Sequence, residues 1–137
     1  MDQKSIIQYV KEHPDGKVKI AFSDIDGILR GKYISTEKFL SVIENNTSFC
    51  DVIFGWDAAD LAYDNSKFTG WHTGYPDCPA RIDLTTFRKI PWENDIPFFL
   101  GEMLDENGDP SAICPRQLLK RINKEAEDMG FTPYFSQ

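Results

Sequence analysis

The spacing of apolar residues changes repeatedly along the chain, and each change marks the boundary of a predicted element. Apolar residues three and four positions apart predict α-helices over residues 3–13, from a cap at Ser35 or Thr36, and from Pro115 to Gly130. Alternating or continuous apolar runs predict strands over residues 17–22, 28–34, 48–56, 80–84, 87–92 and 96–104. Helices and strands are mixed with hairpins rather than strictly alternating. The pattern therefore predicts an α+β fold with a mixed or mostly antiparallel sheet.

Acidic turn residues join neighbouring strands at two places. Residues 24–27 are predicted to close a first hairpin, and the Asn-Gly pair in residues 105–108 a second one, which returns through 111–113. From Phe131 the chain is predicted to enter one more strand. Because it stops there, we expect a sequence cut from a longer protein, with a terminal edge strand as the alternative.

A long segment in the middle of the chain has little periodicity. Residues 57–77 are polar and aromatic and contain Gly70, Gly74 and Pro76. A loop of this length in a small domain is more often functional than idle, and disorder is the competing interpretation.

Composition narrows the class of protein. A chain of 137 residues fits one domain. Its net charge of −7, with basic residues interleaved among acids, argues against binding to nucleic acid or to an anionic membrane surface. The three cysteines are widely spaced, so neither a disulfide framework nor a zinc site is expected. No apolar run is long enough for a signal peptide or a membrane span, which predicts a cytoplasmic protein.

The first predicted turn has a catalytic interpretation, but the sequence favours a structural one. Asp24-Ile25-Asp26-Gly27 after an apolar strand is similar to the nucleophile motif of haloacid-dehalogenase-like phosphatases. Against it stand Ile28, where that family usually has threonine, and a following segment that suits a hairpin better than a βα crossover. A hairpin turn rich in acids is the more common explanation.

Four segments taken together resemble the amino-terminal region of glutamine synthetases and related γ-glutamyl-amine ligases. They are Asp26–Lys32, Phe54-Gly55-Trp56-Asp57, the Asp-Leu-Thr-Thr-Phe-Arg-Lys-Ile-Pro-Trp run of residues 83–92, and Cys114–Leu119 at the start of the last helix. The third segment is fairly specific, and the order and spacing of all four are more so. The resemblance spans about residues 15–137.

The resemblance implies that residues 1–137 form a β-grasp-like α+β domain at the amino terminus of a longer enzyme. It implies a following domain with the metal-binding glutamates and the ATP site, so ATP and Mg²⁺ (or Mn²⁺) belong to the full-length ligase and none is expected on this fragment, which should be inactive alone. Family members form rings in which this domain closes a neighbouring subunit's active site. There, glutamate becomes a γ-glutamyl phosphate that ammonia or an amine attacks.

The resemblance also places candidate site residues in the long loop. An ammonium ion must be attracted by a negative group and must lose a proton before it becomes a nucleophile. Asp57 is the predicted carboxylate, and Asp60 and Asp64 are the alternatives. The loop departs from the pattern of ammonia-using members. The nucleophile could therefore also be an organic amine, held partly by cation–π contact with the ring of Trp56, Tyr63 or Trp71.

Expectations also follow for four further side chains and for one further function. Trp71 and Trp56 are more often packing or interface residues than substrate contacts, and His72 is more often a hydrogen-bonding loop residue than a base or ligand. Arg88 and Arg116 are expected to form structural ion pairs. A free-standing β-grasp interaction module without catalysis is the alternative function, and a reading frame that ends at Gln137 would favour it.

Overall fold

The computed structural model describes residues 1–135, which contain one five-stranded sheet and three α-helices. The helices are α1 Gln3–Glu12, α2 Thr36–Asn45 and α3 Pro115–Asp128, and the strands are β1 Lys17–Ser23, β2 Leu29–Ser35, β3 Thr47–Cys50, β4 Asp77–Ile90 and β5 Ile96–Met103. The strand order is β2-β1-β5-β4-β3. Strands β1 and β5 are parallel and the other neighbours antiparallel. The predicted α+β class with a mixed sheet is confirmed.

Helices α1 and α2 cover one face of the sheet. Each begins at a capping side chain and turns its apolar residues toward the strands. Asp2 accepts a hydrogen bond from the Ser5 amide and begins α1, and Ser35 does the same for the Lys38 amide at the start of α2. Phe39 of α2 stacks on Phe99 of β5 with ring centroids 4.7 Å apart. The shared core is built from residues of α1, α2 and three strands, β1, β4 and β5: Ile6, Val10, Val18, Ile20, Phe22, Phe39, Ala80, Phe99 and Met103.

Two strand predictions change in the structure. The strand predicted over residues 48–56 stops at Cys50 and continues as a 3₁₀ turn, Asp51–Phe54. The turn forms because the buried carboxylate of Asp51 bonds the buried hydroxyl of Thr69 at 2.6 Å, which draws the chain inward. The two strands predicted around residues 80–92 are one strand, β4, with a register shift between Asp83 and Arg88.

The end of the chain also differs from its prediction. Residues 111–113 form a turn rather than a returning strand, with a single bridge between Leu104 and Pro110. The strand predicted from Phe131 is absent over residues 131–135, where Tyr134 is 95% exposed and no neighbouring strand offers ladder bonds. Ser136 and Gln137, part of the same prediction, lie outside the described residues.

Helix α3 lies on the opposite face of the sheet and contacts it through charged groups. The Glu102 cluster (Arg81, Asp83, Glu102, Arg116, Gln117 and Lys120) joins β4, β5 and α3. Arg116 bonds Asp83 at 2.6 Å, as expected of a structural ion pair, whereas Arg88 donates to the Phe87 carbonyl instead. The apolar spacing that predicts α3 forms a stripe along the helix, and this stripe faces outward: Leu118, Leu119 and Ile122 are each nearly half exposed.

Asp83 makes the stability of the domain sensitive to acid. Burial alone would raise the pKa of Asp83, but hydrogen bonds from Thr85 and Arg116 lower it to about 2, below its ordinary value of 3.8. The ionised carboxylate therefore stabilises the fold above about pH 4, and this contribution is lost as the pH falls toward 2. We expect a loss of about 2 kcal/mol from this group over that range.

Urea unfolding between pH 5 and pH 2 measures this acid dependence. The Asp83→Asn variant should be less stable than the parent at pH 5 and should lose less stability on acidification. If both chains lose stability equally between pH 5 and pH 2, the assignment to Asp83 is wrong.

Candidate functional site

One turn geometry occurs three times in residues 1–135, each time built by an aspartate. In the turns that begin at Asp24, Asp57 and Asp105, the Oδ1 atom accepts hydrogen bonds from the amides two and four residues later, at 2.8–3.0 Å. The backbone amide of each aspartate also donates to the carbonyl of the fourth following residue. The fourth residue of each turn has a positive φ: Gly27, Asp60 and Gly108. The first of these turns closes the β1–β2 hairpin that the sequence predicted.

Asp57 lies in a small hairpin (residues 55–63) at the beginning of the long loop. A bridge pairs Trp56 with Ala62, and the Tyr63 amide donates to the Gly55 carbonyl at 2.8 Å. Asp57 Oδ1 holds this turn by accepting from the amides of Ala59 and Leu61. Within residues 1–135, Oδ2 of Asp57 accepts no hydrogen bond, so one oxygen of this carboxylate is free to meet a ligand.

The rest of the long loop is tied to the body of the domain. Thr69 is fully buried, and its methyl group lies 2.8 Å from where a Cβ on Gly55 would stand, so this approach requires glycine. Phe68 packs edge-on against Phe54, with ring centroids 6.2 Å apart. These contacts place an ordered loop where the sequence left disorder as an alternative.

Arg30 joins the small hairpin to the first hairpin. Its Nε donates to Asp24 Oδ2 at 2.8 Å, and its two terminal nitrogens donate to the Asp60 carboxylate and to the Asp57 carbonyl. Its guanidinium also lies over the Trp56 ring, 5.1 Å from the centroid. The hydrogen bond to Asp24 raises the pKa of Arg30, so the group stays charged.

The other predicted residues occupy different environments. Asp64 is exposed and makes no hydrogen bond within residues 1–135. Asp60 is ion-paired with Arg30. Trp56 packs against the core, and its buried Nε1 has no partner among the described residues. Trp71 is 83% exposed, while exposed His72 lies 3.4 Å from the Lys67 carbonyl.

Tyr63 ends the small hairpin among acidic groups. Partial burial raises the pKa of the Tyr63 phenol, and the negative charges of Asp26, Asp57 and Asp24 raise it further. The Tyr63 phenol therefore lies near carboxylates of both the first turn and the small hairpin.

The similarity to known proteins extends over nearly the whole chain. Type-1 glutamine synthetase 2 of Dictyostelium discoideum is 56% identical over 128 residues, which are 93% of this chain and 25% of that protein. A glutamate–isopropylamine ligase from a Pseudomonas species is 35% identical over 92% of this chain and 28% of its own length. This chain belongs to the glutamine synthetase family.

Solved structures agree on the fold of this glutamine synthetase family chain. A Plasmodium falciparum glutamine synthetase superposes with a TM-score of 0.65 over 95% of this chain and 23% of its own, at 16% identity. No protein-family model matches the sequence. The chain spans about a quarter of the length of these relatives.

Glutamine synthetases as a family use ATP and a divalent metal, and the described residues provide no site for the metal. Residues 1–135 contain no group of three or more His, Cys, Asp or Glu side chains placed to hold a metal ion. None of the helices in the described part of the chain is long and apolar enough to cross a membrane.

The roles of two residues of the site, Asp24 and Arg30, were not predicted from the sequence. Asp24 was interpreted as a turn residue or a phosphatase nucleophile, and Arg30 only as part of the family-like segment. The carboxylate of Asp24 is fully buried and bonded to two amides and to Arg30, so this turn suits an anchor and not a nucleophile. The available signal was the repeated spacing of aspartate three residues before glycine in the turns at Asp24 and Asp105.

Proposed function

We propose that this chain is the amino-terminal domain of an ATP-dependent ligase that joins ammonia or an amine to the γ-carboxyl group of glutamate. The names of its relatives, a glutamine synthetase and a glutamate–isopropylamine ligase, support the reaction class. Its span of about a quarter of their length supports a role as one domain of a longer enzyme. On this proposal the fragment is inactive alone.

The free Oδ2 atom of Asp57 is the observation that best supports a direct role in this reaction. A carboxylate attracts an ammonium or alkylammonium ion and can accept the proton that the nitrogen must lose before it attacks an acyl phosphate. The turn holds Asp57 through Oδ1, so the carboxylate is already oriented when the substrate arrives. Asp60, paired with Arg30, is the weaker candidate, and Asp64 remains the alternative.

The aromatic side chains of the loop bear on the choice between ammonia and an amine. Trp56 already has the guanidinium of Arg30 over its ring, so a second cation on that face would have to displace it. The exposed ring of Trp71 has more free surface for an organic amine. Both nucleophiles remain in the proposal, and a panel of amines distinguishes them.

The outward stripe of α3 supports the proposal that more of the enzyme packs against this domain. Leu118, Leu119 and Ile122 are exposed on a helix whose polar side chains face the sheet. Apolar surface of this kind marks an interface more often than a free surface. We infer that the catalytic domain of the full-length chain covers it, with the adjoining subunit of a ring completing the active site.

The test is the Asp57→Asn variant of the full-length ligase. Asparagine keeps an oxygen that can accept from the Ala59 and Leu61 amides, so the turn should survive while the charge is lost. We expect kcat/KM for ammonium or the preferred amine to fall by about 10²-fold or more, with the KM values for ATP and glutamate little changed. Steady-state kinetics with each substrate varied in turn measures this.

Asp105 provides the matched control because it builds the same turn elsewhere. Asp105→Asn should leave kcat/KM for the nitrogen substrate within twofold of the parent enzyme. Unchanged turnover of Asp57→Asn at subsaturating ammonium or amine would rule out Asp57. A full-length protein that makes no glutamyl amide with ammonium or any amine tested would favour a β-grasp interaction module.

A further inference from the structure

The geometry points to Arg30 as the residue that positions Asp57. We propose that its guanidinium fixes the small hairpin (residues 55–63) to the first hairpin and thereby sets where the free oxygen of Asp57 lies. The meaning of that position for the reaction rests on the proposed function, while the clamp itself is a property of this chain.

The first half of the clamp is rigid because Asp24 is immobile. Its side chain is fully buried, and its Oδ1 accepts from the amides of Asp26 and Ile28. Only Oδ2 remains for Arg30, whose Nε binds it at 2.8 Å. A guanidinium is planar, so this one bond, made by a side chain that is 17% exposed, restricts the direction of its other donors.

The second half of the clamp consists of the contacts that Arg30 makes with the small hairpin. One terminal nitrogen of Arg30 donates to the Asp57 carbonyl at 3.1 Å and the other to the Asp60 carboxylate. The same guanidinium lies over the ring of Trp56. Three residues of the small hairpin therefore depend on one side chain that belongs to β2.

Asp60 is the fourth residue of its turn, a position that is glycine in the turns that begin at Asp24 and Asp105 (the sister turns). Its φ of 64° lies in the left-handed region, in which aspartate is less favourable than Gly27 or Gly108. The turn alone gives no reason for an aspartate there. The bond to Arg30 gives one, since it joins the strained residue to the clamp.

The clamp also gives two neighbouring carboxylates a cationic partner. Arg30 pairs with Oδ2 of the buried Asp24 and with Oδ1 of Asp60. Oδ2 of Asp57 has no such partner in the described part of the chain. Arg30 thus holds the Asp57 carboxylate in place and pairs with the nearby carboxylates of Asp24 and Asp60.

Amide hydrogen exchange of the 137-residue chain tests the clamp directly. In Arg30→Ala we expect the Ala59 and Leu61 amides, which donate to Asp57, to exchange at least tenfold faster. Lys32→Ala removes a positive charge two residues further along β2 that makes no ion pair in residues 1–135, and should leave both rates unchanged. Equal exchange rates in Arg30→Ala and the parent chain would overturn the proposal.

A second variant decides the matter if Arg30→Ala does not fold, because that change leaves the buried Asp24 without its partner. Asp60→Gly keeps the Arg30–Asp24 bond and puts glycine where the sister turns have it. If the clamp holds the turn, the Ala59 and Leu61 amides exchange faster in Asp60→Gly than in the parent chain, even though glycine is more favourable than aspartate at this positive φ. Equal or slower exchange would show that the turn does not need the Arg30–Asp60 bond and would overturn the clamp as proposed.

Kinetics of the full-length ligase separates positioning from general stability. Arg30→Ala should raise the KM for ammonium or amine at least tenfold and leave the KM for glutamate within twofold, with Arg30→Lys restoring part of the loss. A loosened hairpin with unchanged KM for the nitrogen substrate would leave the clamp standing and overturn the role proposed for Asp57. If the Ala59 and Leu61 amides exchange no faster in Arg30→Ala, the clamp is overturned whatever the kinetics show.

Discussion

Replacing Glu102 by alanine is expected to lower the free energy of unfolding by about 3–5 kcal/mol. Glu102 is 1% exposed, and its Oε2 accepts from Gln117 at 2.8 Å and from two nitrogens of Arg81 at 3.0 and 3.1 Å. Its Oε1 accepts from Lys120 at 2.6 Å and lies 3.4 Å from Arg116 Nε. Alanine removes the one negative group that these three cations share, and Gln117 loses its buried acceptor.

Urea unfolding at pH 7 measures this loss, with Glu106→Ala as the control. Glu106 is an exposed turn residue outside the Glu102 cluster, so its removal should change the free energy of unfolding by less than about 0.5 kcal/mol. We also expect the amides of α3 to lose protection first in Glu102→Ala, because the cluster attaches this helix to the sheet. A destabilisation below 1 kcal/mol would mean that the cluster contributes little.

The second large effect is expected at Gly101, where the backbone of β5 touches the core. A Cβ at this position would lie 2.1 Å from Cε1 and 2.4 Å from Cζ of Phe22, a residue that is 1% exposed and packs at a tilted angle against Phe49. Alanine must push the ring away or shift the strand. We expect Gly101→Ala to destabilise the domain by about 3 kcal/mol, the upper part of the range for overpacked cores.

A double-mutant cycle with Phe22→Leu tests the cause. Leucine lacks the ring atoms that the new methyl group would meet, so Gly101→Ala should cost less in the Phe22→Leu background than in the parent chain. Thermal or urea unfolding of the four proteins gives the coupling energy. An equal cost in both backgrounds would mean that strand propensity, and not the Phe22 ring, explains the requirement for glycine.

Helices and most strands followed from the sequence because their signals are local. Ser35, Pro115 and Gly130 mark helix ends by backbone chemistry that acts within a few residues, and α2 and α3 begin where these residues predict. Strand β3 was predicted too long because the signal that ends it is not local. The buried bond between Asp51 and Thr69 joins residues eighteen positions apart, and no periodicity within one segment shows it.

The candidate site divides in the same way. Asp57 could be selected from the sequence because the resemblance to glutamine synthetases places a carboxylate in this loop. Its two oxygens could not be told apart, because that depends on which amides the folded turn presents to Oδ1. The contact between Arg30 and Asp60 joins residues thirty positions apart and was not predicted.

The sequence by itself therefore determined the α+β class, the helices, the first hairpin and the family, since each depends on short-range spacing or on the order of motifs. Only the tertiary structure decided that Arg30 pairs with Asp24 and Asp60, that Oδ2 of Asp57 is left free, and that the apolar stripe of α3 faces outward. The physical reason is that charge pairing and burial act between groups that are close in space, and the sheet brings together hairpins that are far apart in the chain.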